Sequence, residues 1–425
     1  MKIIFILLSC FSFLFSTAQG IDHIINVPEV ERIETILSSD KMQGRKAFTP
    51  FIDSAANFIA GEFKKSGLKY FDGLTGYLQP FSMLKATLIS ASGNMNGRVI
   101  DTNHIIAITT SKELKFDEND NYTTIVIDSG VNLFQEAYNL LKENKKYLVL
   151  VNNFYSKNFS RLKNFNRESF ATRSPVVFVL TDEKPGTYHF EIKNKITSSS
   201  LSNVVGVLPG KSRKNEYVIF SAHYDHLGVG QPDAKSDSIY NGANDDASGT
   251  TAVLMLAKYF SELNNNERTL LFVTFTAEEI GGFGSQYFSK QIDAANTAAM
   301  FNIEMIGTES KWSSNSTYIT GYDKSDFGKI LQANLEGSNF HFEPDPYPQQ
   351  NLFYRSDNAT LAALGVPAHT ISTSKMDNEP NYHKQSDEIA TLDMKNMAEI
   401  IKAIAISSKT IVSGKDTPGR INTER

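Results

Sequence analysis

Apolar positions in the first part of the chain recur at helical spacing. Ile33, Ile36 and Leu37 form one set, and Ala55, Phe58, Ile59 and Phe63 another. Spacings of three and four place such side chains on one helix face, so helices are expected between residues 28 and 75, with Gly67 as a stop. From Leu84 to about Ser200 the texture changes. Short apolar runs (Ile105 to Ile108, Thr124 to Ile127, Tyr147 to Val151, Val176 to Leu180) read as strands separated by polar, Asn- and Lys-rich connections. This favours an inserted, mostly β subdomain over 84–200 rather than a continuation of the main sheet. After Asn203 strands and helices alternate. Tyr217 to Ala222, Thr269 to Thr276 and Ala299 to Ile306 read as strands. Ser248 to Leu263, Gly282 to Lys290 and Met394 to Ile411 read as helices. Alternation of this kind predicts an α/β fold: a mixed, largely parallel central sheet with helices on both faces, built from residues 21–83 and 201–412. Ser413 to Arg425 is polar and expected to fray.

The leader stands apart. Met1-Lys2 precedes an apolar run from Ile3 to Phe15 and the small residues Ser16-Thr17-Ala18. That layout is a secretory signal over residues 1–20, which predicts export to the periplasm or medium. Cys10 within it is the only cysteine, so an exported chain would carry no disulfide and would rely on its core or on metals. Beyond it no stretch reaches the roughly 20 apolar residues of a membrane span. The net charge of −5 and pI near 6.0 argue against nucleic-acid binding through a broad basic face.

Carboxylates and histidines fall at the carboxyl ends of the expected strands, where open α/β sheets bind ligands. His223-Tyr224-Asp225-His226 ends the first strand, Ala277-Glu278-Glu279 the second and Asn302-Ile303-Glu304 the third. Gly242 to Gly249 is an acidic loop opening a helix, and Tyr382-His383 precedes the last helix. Histidines and carboxylates without cysteine suit a divalent metal such as zinc. Two metals about 3.5–4 Å apart need a shared ligand, and a carboxylate is the natural bridge. The sequence supplies a complete set in order: His223, Asp245, Glu279, Glu304 and His383. Each motif alone is weak; the Asp-Asp-Ala-Ser-Gly stretch, for one, is often only a helix cap.

Together these segments resemble family twenty-eight of the zinc metallopeptidases, which holds bacterial aminopeptidases, glutamate carboxypeptidase and glutaminyl cyclases. The resemblance runs from His223 to Gly228, Gly242 to Gly249, Phe275 to Glu279, Asn302 to Gly307 and Tyr382 to Asp387, with a weaker match at Ser39 to Arg45. It implies two zinc ions per chain, one on His223, Asp245 and Glu304, the other on Asp245, Glu279 and His383. Glu278 would be the general base activating a metal-bound hydroxide, and Asp225 would orient His223. Tyr382 would polarise the scissile carbonyl, and Arg355, in Arg355-Ser356-Asp357, would line the substrate pocket. The sequence departs from the pattern at Glu304, where Asp is common, and at Asn358, where His is common. The implied activity is an exopeptidase acting on peptides, foremost an aminopeptidase, since no Arg cluster suited to a C-terminal carboxylate stands beside the motifs. A one-zinc glutaminyl cyclase-like transferase and a non-catalytic binding module on the same fold are the alternatives.

Overall fold

The computed structural model describes residues 20–184 and 186–423; the leader, apart from Gly20, lies outside the described residues. The chain divides into two compact units, one formed by the chain up to Pro80 with Leu201 onward, the other by Phe81–Ser200.

In the first unit, helix α1 (Val27–Leu37) begins where Asn26 accepts the Glu29 N–H and Pro28 fills the first turn. Helix α2 (Pro50–Lys65) ends just before Gly67, whose φ of +70° terminates it as the sequence predicts. The part of the sheet that carries the site is built from the end of β1 (Tyr188–Leu208), β2 (Arg213–His223), β3 (Arg268–Phe275), β4 (Thr297–Ile303), β5 (Ser316–Ile319), β6 (His341–Pro344) and β7 (Ala368–Ser372). Its order is β6-β5-β7-β4-β2-β3-β1. The pairs β2–β3, β2–β4, β4–β7 and β5–β6 are parallel; β1–β3 and β5–β7 are antiparallel.

Alternation along the buried strands serves both faces. Val218, Phe220, Leu270, Phe272, Phe301 and Ile303 join a core with α1, α2, α3 (Ser248–Leu263) and, later in the chain, the helix Met394–Ser407. Ile219, Leu271, Val273, Phe275 and Met300 join the opposite core with Phe288 of α4 (Phe283–Phe288) and Leu361 of α5 (Asn358–Ala362). We designate Met394–Ser407 as α6. Helices on both faces of a largely parallel sheet are therefore found as the pattern predicts.

Two local departures are instructive. Strand β4 stops at Ile303, although the apolar run continues to Ile306. The N–H groups of Met305, Ile306 and Gly307 donate instead to the side chains of Asp246, Ser248 and Asn244, at 3.0, 3.0 and 2.8 Å, so the regular ladder ends there, with only the Glu304 N–H to Ile371 and the Thr373 N–H to Met305 continuing beside β7. The C-terminal segment, expected to fray, is tied down as far as Ile421. Arg268 donates to the carbonyls of Ile411 and Asp416 at 2.8 and 2.7 Å, Gly419 N–H to Asp326 at 2.7 Å, and Ile421 is buried. Its anchors lie far away in sequence, which composition cannot register.

Within Phe81–Ser200, a four-stranded sheet runs in the order Ile105–Ile108, Val176–Leu180, Tyr147–Val151, Thr123–Ile127. The last two strands are parallel and joined by helix Leu133–Lys142, which the strand-rich texture conceals. Asn132 caps that helix by accepting the N–H groups of Phe134 and Gln135. Each face of the sheet has its own apolar cluster, one around Val149 and Phe178, the other around Leu148, Val177 and Phe190.

Candidate metal centre

His223 is the last residue of β2, Glu278 and Glu279 follow β3, and Glu304 follows β4. Asp245 lies in Ala243–Ala247, immediately before α3, and Tyr382 and His383 in the loop before α6. The fold thus brings all five motifs to one edge of the sheet. Asp245 sits between two imidazoles: its Oδ1 is 3.2 Å from His223 Nε2 and its Oδ2 is 3.2 Å from His383 Nε2. His383 Nε2 is also 3.2 Å from Glu279 Oε2. Donor atoms of His223, Asp245 and Glu304 lie within 4.8 Å of one another, as do those of His226, Asp245 and Glu279.

Buried polar groups fix this loop-rich edge. Asp387 accepts the N–H groups of Asn244 and Asp245 at 2.8 and 3.0 Å. Asp246 accepts from His223, Gly249 and Met305, tying together the three segments that carry His223, Asp245 and Glu304. Gly249 is required there, because a Cβ would come within 2.5 Å of both Asp246 oxygens and 2.2 Å of the Ile303 carbonyl. Arg45, with no exposed surface, donates to the carbonyls of Leu37, Tyr224, Asn241 and Gly242 at 2.7–2.8 Å. Asp225 acts differently from the orienting role that the resemblance implies. Its backbone carbonyl, at 3.1 Å, faces His223 Nδ1, while its carboxylate is 3.8 Å away. The carboxylate is engaged by the N–H groups of Glu278 and Glu279, at 3.0 and 3.3 Å, and so holds the turn after β3.

The electrostatics follow from crowding. Burial pushes Glu278 well above the usual carboxylate range and Glu304 up to about 7. Burial also raises Asp245, but hydrogen bonds with His223 and His383 outweigh it and hold that carboxyl low. The same two carboxylates, Asp245 and Glu279, push His383 up to about 10. One Glu304 oxygen is buried without a hydrogen-bond partner. Like charges packed so closely and an orphaned carboxylate oxygen call for a cation. Ligands about 2.1 Å from a tetrahedral zinc stand roughly 3.3 Å apart, and the 3.2 Å spacings match that. Nitrogen and carboxylate donors without thiolate fit zinc.

Beside these donors runs a cleft. It is lined by Glu278, Glu304, Arg355 and Tyr382 with the apolar walls Met305, Tyr318, Leu352 and Met376. Tyr382 stacks on His383 with ring centroids 3.9 Å apart, and burial raises its phenol above the ordinary value, so it remains an O–H donor. Arg355 is exposed at the rim. Asn358 donates to the carbonyls of Phe353 and Ala368 at 3.0 and 3.2 Å and supports the wall without reaching the donors.

The profile of peptidase family M28 matches residues 203–407. This stretch belongs to peptidase family M28. The chain aligns at 34% identity over 110 residues, 25% of this chain and 23% of the other, with a Pyrenophora teres f. teres protein named "Probable zinc metalloprotease". Identity is 26% over 133 residues, 30% of this chain and 26% of the other, with Aminopeptidase YwaD of Bacillus subtilis. The aligned stretches span about a quarter of those relatives' own lengths. An aminopeptidase from Aneurinibacillus sp. strain AM-1 superposes with a TM-score of 0.55 at 18% identity, covering 96% of this chain and 98% of that one. This identity speaks for a shared fold.

Four participants escaped the sequence reading: His226, Asp246, Asp387 and Arg45. His226 is visible in the first motif, and Asp246 adjoins Asp245, yet neither position signals its partners. Asp387 and Arg45 close two of the segments that carry the resemblance, but their partners lie 142–197 residues away, and nothing local names those partners.

Proposed function

We propose that the chain is an exported exopeptidase with two zinc ions, acting as an aminopeptidase on peptides. The observation that carries this is the bridging posture of Asp245, one oxygen toward His223 and the other toward His383. His223, Asp245 and Glu304 would hold one ion, and Asp245, Glu279 and His383 the other. Zinc bound there supplies Lewis acidity, which polarises a carbonyl and makes water nucleophilic at neutral pH. Glu278 lines the cleft beside both donor groups, and its raised proton affinity suits it to take the proton of the attacking water and pass it to the leaving amine. The Asp225 carboxylate keeps the Glu278 backbone in place. Tyr382 O–H is the donor for charge developing on the scissile oxygen. Arg355 and the apolar wall contact the substrate. Export rests on the leader; among the described residues no helix is long and apolar enough to cross a membrane.

The test combines metal analysis with a panel of free and N-blocked peptides, run on the wild type and Glu278→Gln. Two ions per chain and release of N-terminal residues from free peptides only are expected. The variant should keep both ions and lose on the order of a hundredfold or more in turnover. One ion with cyclisation of N-terminal glutamine would favour the transferase. No turnover on any substrate would favour a binding module.

A further inference from the structure

We infer that His226 is a positioning residue for Glu279, fixing which carboxylate oxygen that side chain turns toward the second donor group. The inference deepens the function proposed above and rests on it. His226 has no exposed side-chain surface, and its Nδ1 lies 2.7 Å from Glu279 Oε1. The other oxygen, Oε2, stands 3.2 Å from His383 Nε2, which is itself 3.2 Å from Asp245 Oδ2.

These spacings separate the two histidines. Atoms sharing a tetrahedral zinc sit roughly 3.3 Å apart, which suits His383 Nε2, Asp245 Oδ2 and Glu279 Oε2. A separation of 2.7 Å is too short for that and is the length of a hydrogen bond to a charged acceptor. A carboxylate only accepts, so His226 Nδ1 carries the hydrogen. With Oε1 engaged, Glu279 offers Oε2 alone. The imidazole has little freedom to do otherwise. Its ring meets His383 edge-on at 5.8 Å, and the Gly242 backbone lies so close that a Cβ there would fall 2.5 Å from the ring. Its Nε2 is buried with no hydrogen-bond partner. A histidine kept only to fill space would be replaceable by an apolar residue, whereas this one tolerates an orphaned nitrogen to deliver a single N–H.

The experiment titrates chelator-stripped protein with zinc against a chromophoric competitor, for the wild type, His226→Leu and His226→Asn. The Asn amide can place an N–H where Nδ1 stands; Leu cannot. His226→Leu should weaken the second ion by 10–100-fold and leave the first unchanged, and His226→Asn should recover most of the loss. Wild-type affinities in His226→Leu, or an Asn variant as poor as Leu, would overturn the inference. A wild type that binds one ion would instead remove the two-zinc reading beneath it. Should His226→Leu fail to fold, nitrogen-15 histidine NMR of the stripped wild type decides the matter: a His226 ring bearing its proton on Nε2 alone overturns the assignment, and one protonated at Nδ1 supports it.

Discussion

The two halves of the centre rest on different kinds of backbone. His223 and Glu304 stand at the ends of neighbouring strands whose register is fixed. Ser221 of β2 pairs with Asn302 of β4, and the Ser221 hydroxyl donates to Asn302 Oδ1 at 2.8 Å. His383 comes from a loop, with a φ of 55° and a side chain 37% exposed, against 2% for His223. Donors held by a sheet keep their separation before any cation arrives. Donors on a loop must be ordered when the cation binds, and that ordering subtracts from its affinity. The strand-built half should therefore bind first and release last.

The largest effect belongs to the residue common to both halves. Asp245→Ala should lose both ions and with them all turnover, measured as zinc per chain after gel filtration. Loss of a single ion would make Asp245 an ordinary terminal donor and dissolve the comparison into two independent sites. Next come the residues that belong to one half each. Glu304→Ala should empty the strand-built half and keep the other ion, and His383→Ala should do the reverse. In the wild type, graded chelation should remove one ion well before the second, and the ion that leaves first should be the one missing in His383→Ala. Simultaneous release would show that loop and strand ends hold their cations equally well.

How much of this was legible in the sequence follows the same division. Strand ends announce themselves: Leu271 to Phe275 followed by two glutamates can hardly be anything but a buried strand delivering carboxylates to its tip. His223 and Glu304 were readable on that ground, and the sheet with helices on both faces follows from the same alternation. The residues that hold the loops were not readable. Arg45 meets Asn241 and Gly242 across 196 and 197 residues, and Asp387 meets Asn244 across 143. Such contacts are set by tertiary folding and leave no period or spacing in one chain. For the same reason Asp225 was read as a partner of its near neighbour His223, when its carboxylate reaches Glu278 and Glu279, 53 and 54 residues away.

Arg45 tests whether those loops are held as firmly as the geometry says. Arg45→Met removes the donor to four buried carbonyls, of which, among the described residues, only Gly242 keeps a second partner, the Ala247 N–H at 3.2 Å. Each such loss costs about 1–3 kcal/mol, so the denaturation midpoint should fall by the equivalent of several kcal/mol. A shift smaller than about 1 kcal/mol would mean that the loops hold themselves, and the contrast between the halves would narrow.

The smallest effect concerns the wall behind the strand-built half. His369 lies on β7, paired with Phe301 of β4, the strand that Glu304 follows. Its Nδ1 donates to the Thr320 carbonyl at 2.8 Å, its Nε2 accepts from the Ser325 hydroxyl at 2.8 Å, and Phe327 stacks on the ring at 4.8 Å. Both nitrogens are already satisfied in the neutral form, and burial, which penalises the charged ring, pushes it down to about 4. In the unfolded chain a histidine titrates near 6.5. Between those values the unfolded chain binds the extra proton, so acid favours unfolding. The stability that His369 contributes is complete above about 6.5 and is lost as pH falls through about 4, a change on the order of 3 kcal/mol. Burial pushes the neighbouring Asp357 and Asp387 up to about 6, so they change charge over the same range and the informative quantity is a difference: unfolding free energy against pH for stripped wild type and for His369→Asn. The variant starts less stable at pH 7, and its curve should converge on the wild type's as pH approaches 4. Parallel curves would mean that His369 takes up no proton on unfolding, and the strand-built half would then owe nothing of its acid sensitivity to this residue.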